Sequence, residues 1–318
     1  MRAVVIDQGE LHVLERPDPE AGPGEAVVAV CAAGLNAADL LQRRGHYPAP
    51  PGWPVDVPGM EFSGRVLSVG EGVDDALIGT RVCGIVGGGA QATRVLVPAA
   101  HLMAVPDSVD LTVAGAFCEA FVTAYDALVL RAGLVGGQRL LVSGASGGVG
   151  NAAVQIGRLV GAHVIAVTRH VDHRAALEDL GADEVIDLAE VSTLDPVDVV
   201  LELVGAAHLS LALGRLAPFA TVVVIGVSGG GAKVEVNLLG LMAARATLTG
   251  STLRSRPAAE KTDLIARCAD ALLGPLAHGQ LRVPLASRFA LEDVDEAYEY
   301  FSRPGKFGKV ALVVPGQR

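Results

Sequence analysis

LLVSGASGGVGNAAVQIGRLVG, residues 140 to 161, is the stretch that decides the fold. Leu140 to Val142 is apolar without alternation, as in a strand buried on both faces. SGASGGVG, Ser143 to Gly150, follows directly, and NAAVQIGRLVG then repeats apolar residues at helical spacing. Strand, glycine turn and helix in that order open a βαβ unit. There the glycines permit a tight turn and let backbone N–H groups approach a pyrophosphate, while the helix N-terminus adds partial positive charge. The spacing G-x-G-x-x-G is met at Gly147 and Gly150, with Ala145 at its first position. Dinucleotide binding is expected, with Ala145, Ser146, Gly147, Gly148 and Val149 in the loop; a phosphate-free structural turn is the alternative.

Outward from that unit, HVIAVT, EVIDL, DVVLELVG and TVVVIGV are apolar runs separated by helix-like segments such as HRAALEDLG. They predict a doubly wound parallel sheet covered on both faces. Up to about Pro106 the pattern differs: AVVID, HVLER, EAVVAVCAAG, EFSGRVLSVG and TRVCGIV stand between Gly, Pro and Asp clusters, as in a mostly antiparallel domain. After about Pro257 a helix, KTDLIARCADALLGPLAHG, leads to a last strand, KVALVV. The expected organisation is an outer domain of residues 1–118 and 256–318, with the α/β unit, residues 119–255, inserted into it.

The 318 residues are 51% hydrophobic, with a formal net charge of -10. That balance disfavours a phosphate backbone, so nucleic acid is not an expected partner. No run approaches the length of a membrane span, and MRAVVIDQGELHV lacks a signal peptide's apolar core, so the chain reads as soluble and cytoplasmic. The four cysteines, Cys31, Cys83, Cys118 and Cys268, have no paired spacing and read as buried free thiols. Cys118, beside Glu119, shows no neighbour that would activate it as a nucleophile.

At the end of the second strand of the inserted unit an acid would accept hydrogen bonds from the ribose hydroxyls of NAD. This chain has Thr168, Arg169 and His170 there instead. Arg169, His173 and Arg174 suit a 2′-phosphate, so NADP (NADPH) is favoured over NAD. The spacing of His170 and His173 superficially suggests a metal pair; beside two arginines it reads as cationic or simply as surface.

With these features in place, the chain resembles the medium-chain dehydrogenase/reductase superfamily, and within it the zinc-independent quinone oxidoreductases near the p53-inducible branch. The likeness rests on AAGLNAADLLQRRGHYPAPPG, PGMEFSGRVLSVGEGV, GGGAQATRVLVPA, CEAFVTAYDAL, SGASGGVGNAAVQ, TGSTLRSR and GKFGKVALVV, which occur in family order. It implies a Rossmann domain inserted into a GroES-like catalytic domain. In zinc-dependent members a histidine and two cysteines hold the catalytic metal. Here Met60, Asn36 and Glu119 fall at those places, a poor zinc cage, so the site is expected to be metal-free with Glu61 capping or pairing locally.

The resemblance also implies site residues. Tyr47 is similar to a family residue beside the substrate cleft and would donate to a developing oxyanion, or else pack under the proline turn; His46 beside it could relay a proton. Asn36 resembles an Asn near the nicotinamide ribose, or caps the helix that NAAD opens. Thr123 resembles a residue at the nicotinamide, or is simply buried in a helix. Gly205, Gly226 and Val227 are strand-end positions where backbone groups commonly hold the carboxamide in this fold, or else are plain strand-end turns. Leu253, Arg254 and Lys309 resemble cofactor-side residues, Lys309 at the pyrophosphate or else simply solvated. The activity implied is NADPH-dependent hydride transfer to a quinone, where positioning carries most of the catalysis. An enone or enoyl reductase and a non-catalytic NADPH-binding protein are the alternatives. Relatives commonly pair as homodimers through the sheet edge, and ATLTGSTL, residues 246 to 253, is the candidate edge strand.

Overall fold

The computed structural model describes residues 1–229 and 231–316. The chain divides into two compact units, Met1–Val122 with Leu253–Arg318, and Thr123–Thr252.

The first unit begins with β1 (Arg2–Asp7) and β2 (Glu10–Glu15), an antiparallel hairpin. Gln8 and Gly9 both take positive φ, 50° and 87°, which suits the right-handed twist of the two strands. There follow β3 (Glu25–Gly34), α1 (Ala37–Arg43), β4 (Glu61–Val69), β5 (Arg81–Ile85), β6 (Arg94–Pro98), β7 (Leu102–Ala104) and α2 (Leu111–Ala114). The chain leaves this unit within α3 (Cys118–Tyr125).

In the second unit come β8 (Arg139–Ser143), α4 (Gly148–Val160), β9 (His163–Val167), α5 (Arg174–Leu180), β10 (Glu184–Ile186), β11 (Val197–Glu202), α6 (Ala206–Ala212), β12 (Leu216–Val224), α7 (Leu238–Ala244) and β13 (Thr247–Gly250). Its sheet runs β10-β9-β8-β11-β12-β13, every pair parallel. Chain order reverses between β8 and β11, and in such sheets ligands bind beyond the strand carboxyl ends at that reversal. Residues such as Leu141, Ile165, Val200 and Val222 fill one core of this unit. Most of their strand neighbours are apolar as well, as in a sheet covered on both faces.

The chain then returns to the first unit with α8 (Ala258–Ala277), β14 (Leu285–Ala290), α9 (Val294–Ser302) and β15 (Lys309–Val313). The sheet there runs β14-β15-β3-β4-β5-β7, with β6 also on β3. Only β14 and β15 pair in parallel; the others are antiparallel. Val28, Phe62, Val66, Tyr298 and Leu312 meet in its core, each large apolar side chain worth roughly 1.5–3 kcal/mol on burial. Tyr298 keeps its hydroxyl satisfied by donating to Gln91 Oε1 at 2.9 Å. By pairing beside β3, β15 carries Lys309 to the strand end that precedes Asn36.

Candidate active site

The glycine turn links β8 to α4. Ala145 N–H donates to Val167 O at 3.1 Å, Gly147 N–H to Gly144 O at 3.1 Å, and Asn151 Nδ2 to Ala145 O at 2.7 Å, which fixes the turn. A side chain at Gly150 would strike the carbonyl of Gly144 and the backbone of Ala145, so close packing demands glycine here. Gly147 caps α4, and being glycine it offers no side chain to accept from the helix start. The first-turn N–H groups, from Gly148 and Val149 on, have no intrahelical acceptor, and an anion bound at this helix end would satisfy them.

Beside the turn, Ser146 Oγ pairs with Thr168 Oγ1 at 2.8 Å and with His173 Nδ1 at 2.9 Å. The Thr168 hydroxyl also accepts from His170 N–H at 3.2 Å. Arg169 and Arg174 are exposed, Arg174 lying 3.9 Å from Glu178. Two elements separated in sequence by more than twenty residues therefore meet.

Glu202 was not singled out by sequence reasoning. Fully buried at the end of β11, its carboxylate accepts from Ser143 Oγ at 2.8 Å, Val204 N–H at 2.6 Å and Gly205 N–H at 2.8 Å. It therefore ties the ends of β8 and β11 together where the chain order reverses. The signal was an acid closing the otherwise apolar run DVVLE. Gly205 takes φ 127°, open to glycine at little cost, and starts α6. Gly226 and Val227 follow β12 rather than end it; Gly226 N–H lies 3.4 Å from Glu202 O, and Val227 is exposed. Thr123 is buried in α3.

The first unit holds a buried ionic cluster. Lys309 Nζ lies 2.6 Å from Glu61 Oε1, 2.6 Å from Asn36 Oδ1 and 2.8 Å from Leu35 O. Asn36 Nδ2 donates to the same Glu61 oxygen at 2.9 Å, and Glu119 N–H donates to Glu61 Oε2 at 2.9 Å. A side chain at Gly34 would strike the Glu61 carboxylate, so the glycine makes room for the acid. Asn36 caps α1 by position, and Asp39 Oδ2 accepts its N–H at 2.8 Å. Asp39 Oδ1 accepts from Gly59 N–H at 3.1 Å. Burial pushes the Asp39 carboxyl up to about 6 against those two donors.

Burial, with the Glu61 charge next in weight, pushes the Glu119 carboxyl up to about 8. Glu119 Oε2 is buried and has no hydrogen-bond partner among the described residues. Cys118 opens α3, yet burial pushes its thiol well above the ordinary range, so a helix start does not activate it. Arg254 forms the second cluster: it donates to Gln42 Oε1 at 2.6 Å, Gly87 O at 2.8 Å and Tyr47 O at 2.9 Å. Lys261, buried in α8, donates to Arg254 O at 3.0 Å.

These contacts show how several of the expected site residues are held. The three ammonium donors of Lys309 are engaged inside the first unit, where they give the buried Glu61 its counter-charge. Leu253 is buried in the first unit, and the Arg254 guanidinium is engaged by three acceptors there. The Asn36 amide is likewise engaged by Glu61, Lys309 and Gly34 O.

Comparison with known proteins finds two family models along the chain. Residues 22–107 match the model of an alcohol dehydrogenase GroES-like domain, and residues 148–270 match that of a zinc-binding dehydrogenase. The chain is 30% identical to the synaptic vesicle membrane protein VAT-1 homolog of Homo sapiens, over 98% of this chain and 84% of the relative. The chain belongs to the medium-chain dehydrogenase/reductase family. Its place among the quinone oxidoreductase-like members is supported by 30% identity to the quinone oxidoreductase-like protein 2 homolog of Nematostella vectensis, over 92% of this chain and 82% of that one. Among solved structures, the quinone oxidoreductase from Thermus thermophilus, described also in complex with NADPH, superposes with a TM-score of 0.85 at 32% identity, covering 98% and 100% of the two chains. As a member of this family the protein is an oxidoreductase built on a nicotinamide-cofactor fold.

Among the described residues, no helix is long and apolar enough to cross a membrane. Nor is there among them a group of three or more His, Cys, Asp or Glu arranged to hold a metal ion.

Proposed function

We propose that this protein is an NADPH-dependent, zinc-independent reductase that transfers hydride to a quinone or similar conjugated acceptor. The observation that carries the reading is the Lys309 ammonium lodged between Glu61 Oε1 and Asn36 Oδ1, 2.6 Å from each. A zinc ion beside it would meet a like charge at contact range. Its ligands would be the Met60 thioether, the Glu119 acid and an amide already engaged, a mixture of soft and hard donors that does not fit zinc.

Bound NADPH would supply the hydride, and a conjugated acceptor spreads the incoming charge without a Lewis acid. The chain's own residues then bind and orient. Ala145, Ser146, Gly147, Gly148 and Val149 form the cradle for the pyrophosphate. Thr168 and Ser146 face the ribose end, and Arg169 and Arg174 supply cationic donors for a 2′-phosphate. Gly205, Gly226 and Val227 offer backbone groups to the carboxamide, with Thr123 at the ring. Tyr47, held through its carbonyl by Arg254, donates to the developing oxyanion. Phe219, Leu238, Leu239 and Met242 are exposed around α7, and β13 is the last strand of its sheet, so a homodimer through that edge forms part of the reading.

The test is an assay of NADPH and NADH oxidation with benzoquinone, naphthoquinone and short enals, alongside elemental analysis of the purified protein. Quinone-dependent turnover that prefers NADPH and needs no zinc is expected. Turnover with enals alone would move the assignment to a double-bond reductase, and cofactor binding without turnover would remove the enzyme reading.

A further inference from the structure

We propose that Ser146, Thr168 and His173 form a pH-sensitive switch of cofactor preference. Protonation of the His173 ring turns the Ser146 hydroxyl outward as a donor and adds a positive charge beside it. The hold on a 2′-phosphate is therefore strong below neutrality and fades above it. This rests on the NADPH half of the reading above and adds the control of that same site.

The switch lies wholly within the second unit. Ser146 stands in the glycine turn, one residue before the Gly147 cap of α4. Thr168 directly follows β9, and His173 is the residue before α5. Thr168 is buried, Ser146 and His173 are half-buried, and Gly147 and Arg169 are exposed, so the cluster opens to solvent. In a sheet of this kind the adenosine ribose lies at the end of the second strand, which is β9 here, so the 2′-phosphate rather than the pyrophosphate is the group addressed.

The three side chains make one run of hydrogen bonds. His173 Nδ1 lies 2.9 Å from Ser146 Oγ, Ser146 Oγ lies 2.8 Å from Thr168 Oγ1, and Thr168 Oγ1 accepts His170 N–H at 3.2 Å. Each hydroxyl has one proton to give and two lone pairs. The backbone donor takes one lone pair of Thr168, and the Thr168 proton goes to Ser146 Oγ. A neutral His173 ring that accepts at Nδ1 then takes the Ser146 proton, and the run spends every hydroxyl proton on itself. A cationic ring can only donate. Its Nδ1–H and the Thr168 O–H fill both lone pairs of Ser146, and the Ser146 proton is left to find an acceptor outside the run. A phosphate oxygen supplies that acceptor, and the nearby charge strengthens the bond.

Histidine is the side chain whose ordinary titration falls in the physiological range. Around His173, Arg169 and His170 come from the segment after β9, with the His170 ring centroid 5.0 Å from that of His173. Asp172 and Arg174 flank it in the chain, Arg174 lying 3.9 Å from Glu178 on α5. On α6, His208 feels the Arg169 charge, and the glycine turn brings hydroxyl and backbone groups but no titratable side chain. A bound phosphate dianion favours the cationic ring, so ligand and proton bind together. The proton comes from solvent and is held at Nδ1.

Fluorescence titration with NADPH and with NADH compares wild type, His173→Gln, His173→Lys and His170→Gln. Between about pH 6.5 and about pH 8.5 the wild-type Kd for NADPH should rise roughly fivefold, while that for NADH changes by less than about twofold. His173→Gln should show the alkaline preference throughout, His173→Lys should hold the strong preference to the alkaline end, and His170→Gln should keep the wild-type dependence. The 2′-phosphate itself titrates at about 6, alike in all four proteins. A second measurement is calorimetry at about pH 7.5 in two buffers of different ionisation enthalpy. NADPH binding should take up part of a proton in wild type and none in His173→Gln, whereas a phosphate acting alone would release protons. An NADPH preference that is flat with pH, or that keeps its pH dependence in His173→Gln, would overturn the switch and leave the NADPH reading standing. Equal binding of the two cofactors at every pH, or binding of neither, would overturn both. Neither arm uses turnover, so a protein that binds NADPH in this way but reduces no quinone loses the activity alone.

Discussion

Arg254 and Tyr47 are joined twice: Arg254 Nη1 donates to the Tyr47 carbonyl at 2.9 Å, and the guanidinium carbon lies 5.1 Å from the centroid of the Tyr47 ring. A charge stacked on a ring and hydrogen-bonded to its own backbone leaves that ring little freedom. The guanidinium also holds Gln42 and Gly87, so three separate segments depend on one side chain. Arg254→Met is expected to destabilise the protein by about 3 kcal/mol, since buried acceptors are left open. Arg254→Lys is expected to recover only part of that, because a point charge cannot reach three acceptors as a planar fork does. Urea denaturation of the three proteins measures both.

Tyr47→Phe separates the ring from its hydroxyl. Stability should change by less than about 0.5 kcal/mol, as the stacking and the backbone bond remain. Turnover with benzoquinone should fall roughly 10- to 100-fold if the phenol donates to the oxyanion. Full turnover in the Phe variant would remove Tyr47 from the mechanism.

The Glu61–Lys309 pair is buried on both sides, with side-chain exposures of 0% and 5%. Lys309→Met alone leaves a buried acid without its counter-charge and is expected to cost about 3–5 kcal/mol. Glu61→Gln alone should cost a similar amount. The double variant should be clearly less destabilised than the sum of the singles, a coupling that a thermodynamic cycle of unfolding free energies would read directly.

Stability should fall as pH rises through neutrality. Asp39 and Glu119 are acids whose folded pKa values, about 6 and about 8, stand above their ordinary values of 3.8 and 4.5. Between those limits the native chain keeps protons that the unfolded chain gives up, so ∂ΔG/∂pH is negative. Their contribution is full below about pH 4 and is lost first through about 6 for Asp39 and then through about 8 for Glu119. Urea midpoints measured across this range should decline, and Glu119→Gln should flatten the upper part of the decline.

Arg169 and Arg174 are exposed, beside the Ser146–Thr168 pair that the glycine turn brings together with the end of β9. Replacing both by Ala should raise the KM for NADPH by roughly tenfold or more and leave that for NADH nearly unchanged, because only the 2′-phosphate loses a partner. Equal effects on the two cofactors would remove the phosphate role.

The architecture could be read from periodicity and glycine placement because both are local. Leu140 to Gly161 alone predicts a strand, a turn and a helix, and β8, the turn and α4 occupy that stretch. The acids and cations were harder to read. Lys309 and Arg254 stand in sequence like surface cations of a cofactor site, and only the pairing of β15 with β3 and the reach of residue 254 to residues 42, 47 and 87 reveal them as buried cations, Lys309 on the Glu61 carboxylate and Arg254 on neutral oxygens. Glu202 looked like one more strand end, since its three donors come from residues 143, 204 and 205 and local pattern says nothing about the first of them.

Lys309 and Asn36 touch across 273 positions of the chain. During vectorial synthesis the amino-terminal strands therefore emerge long before the cation that neutralises Glu61, while the inserted unit, contiguous from Thr123 to Thr252, can assemble from its own residues in the interval. The outer unit is completed only once its carboxyl-terminal strand has left the ribosome and supplies that cation.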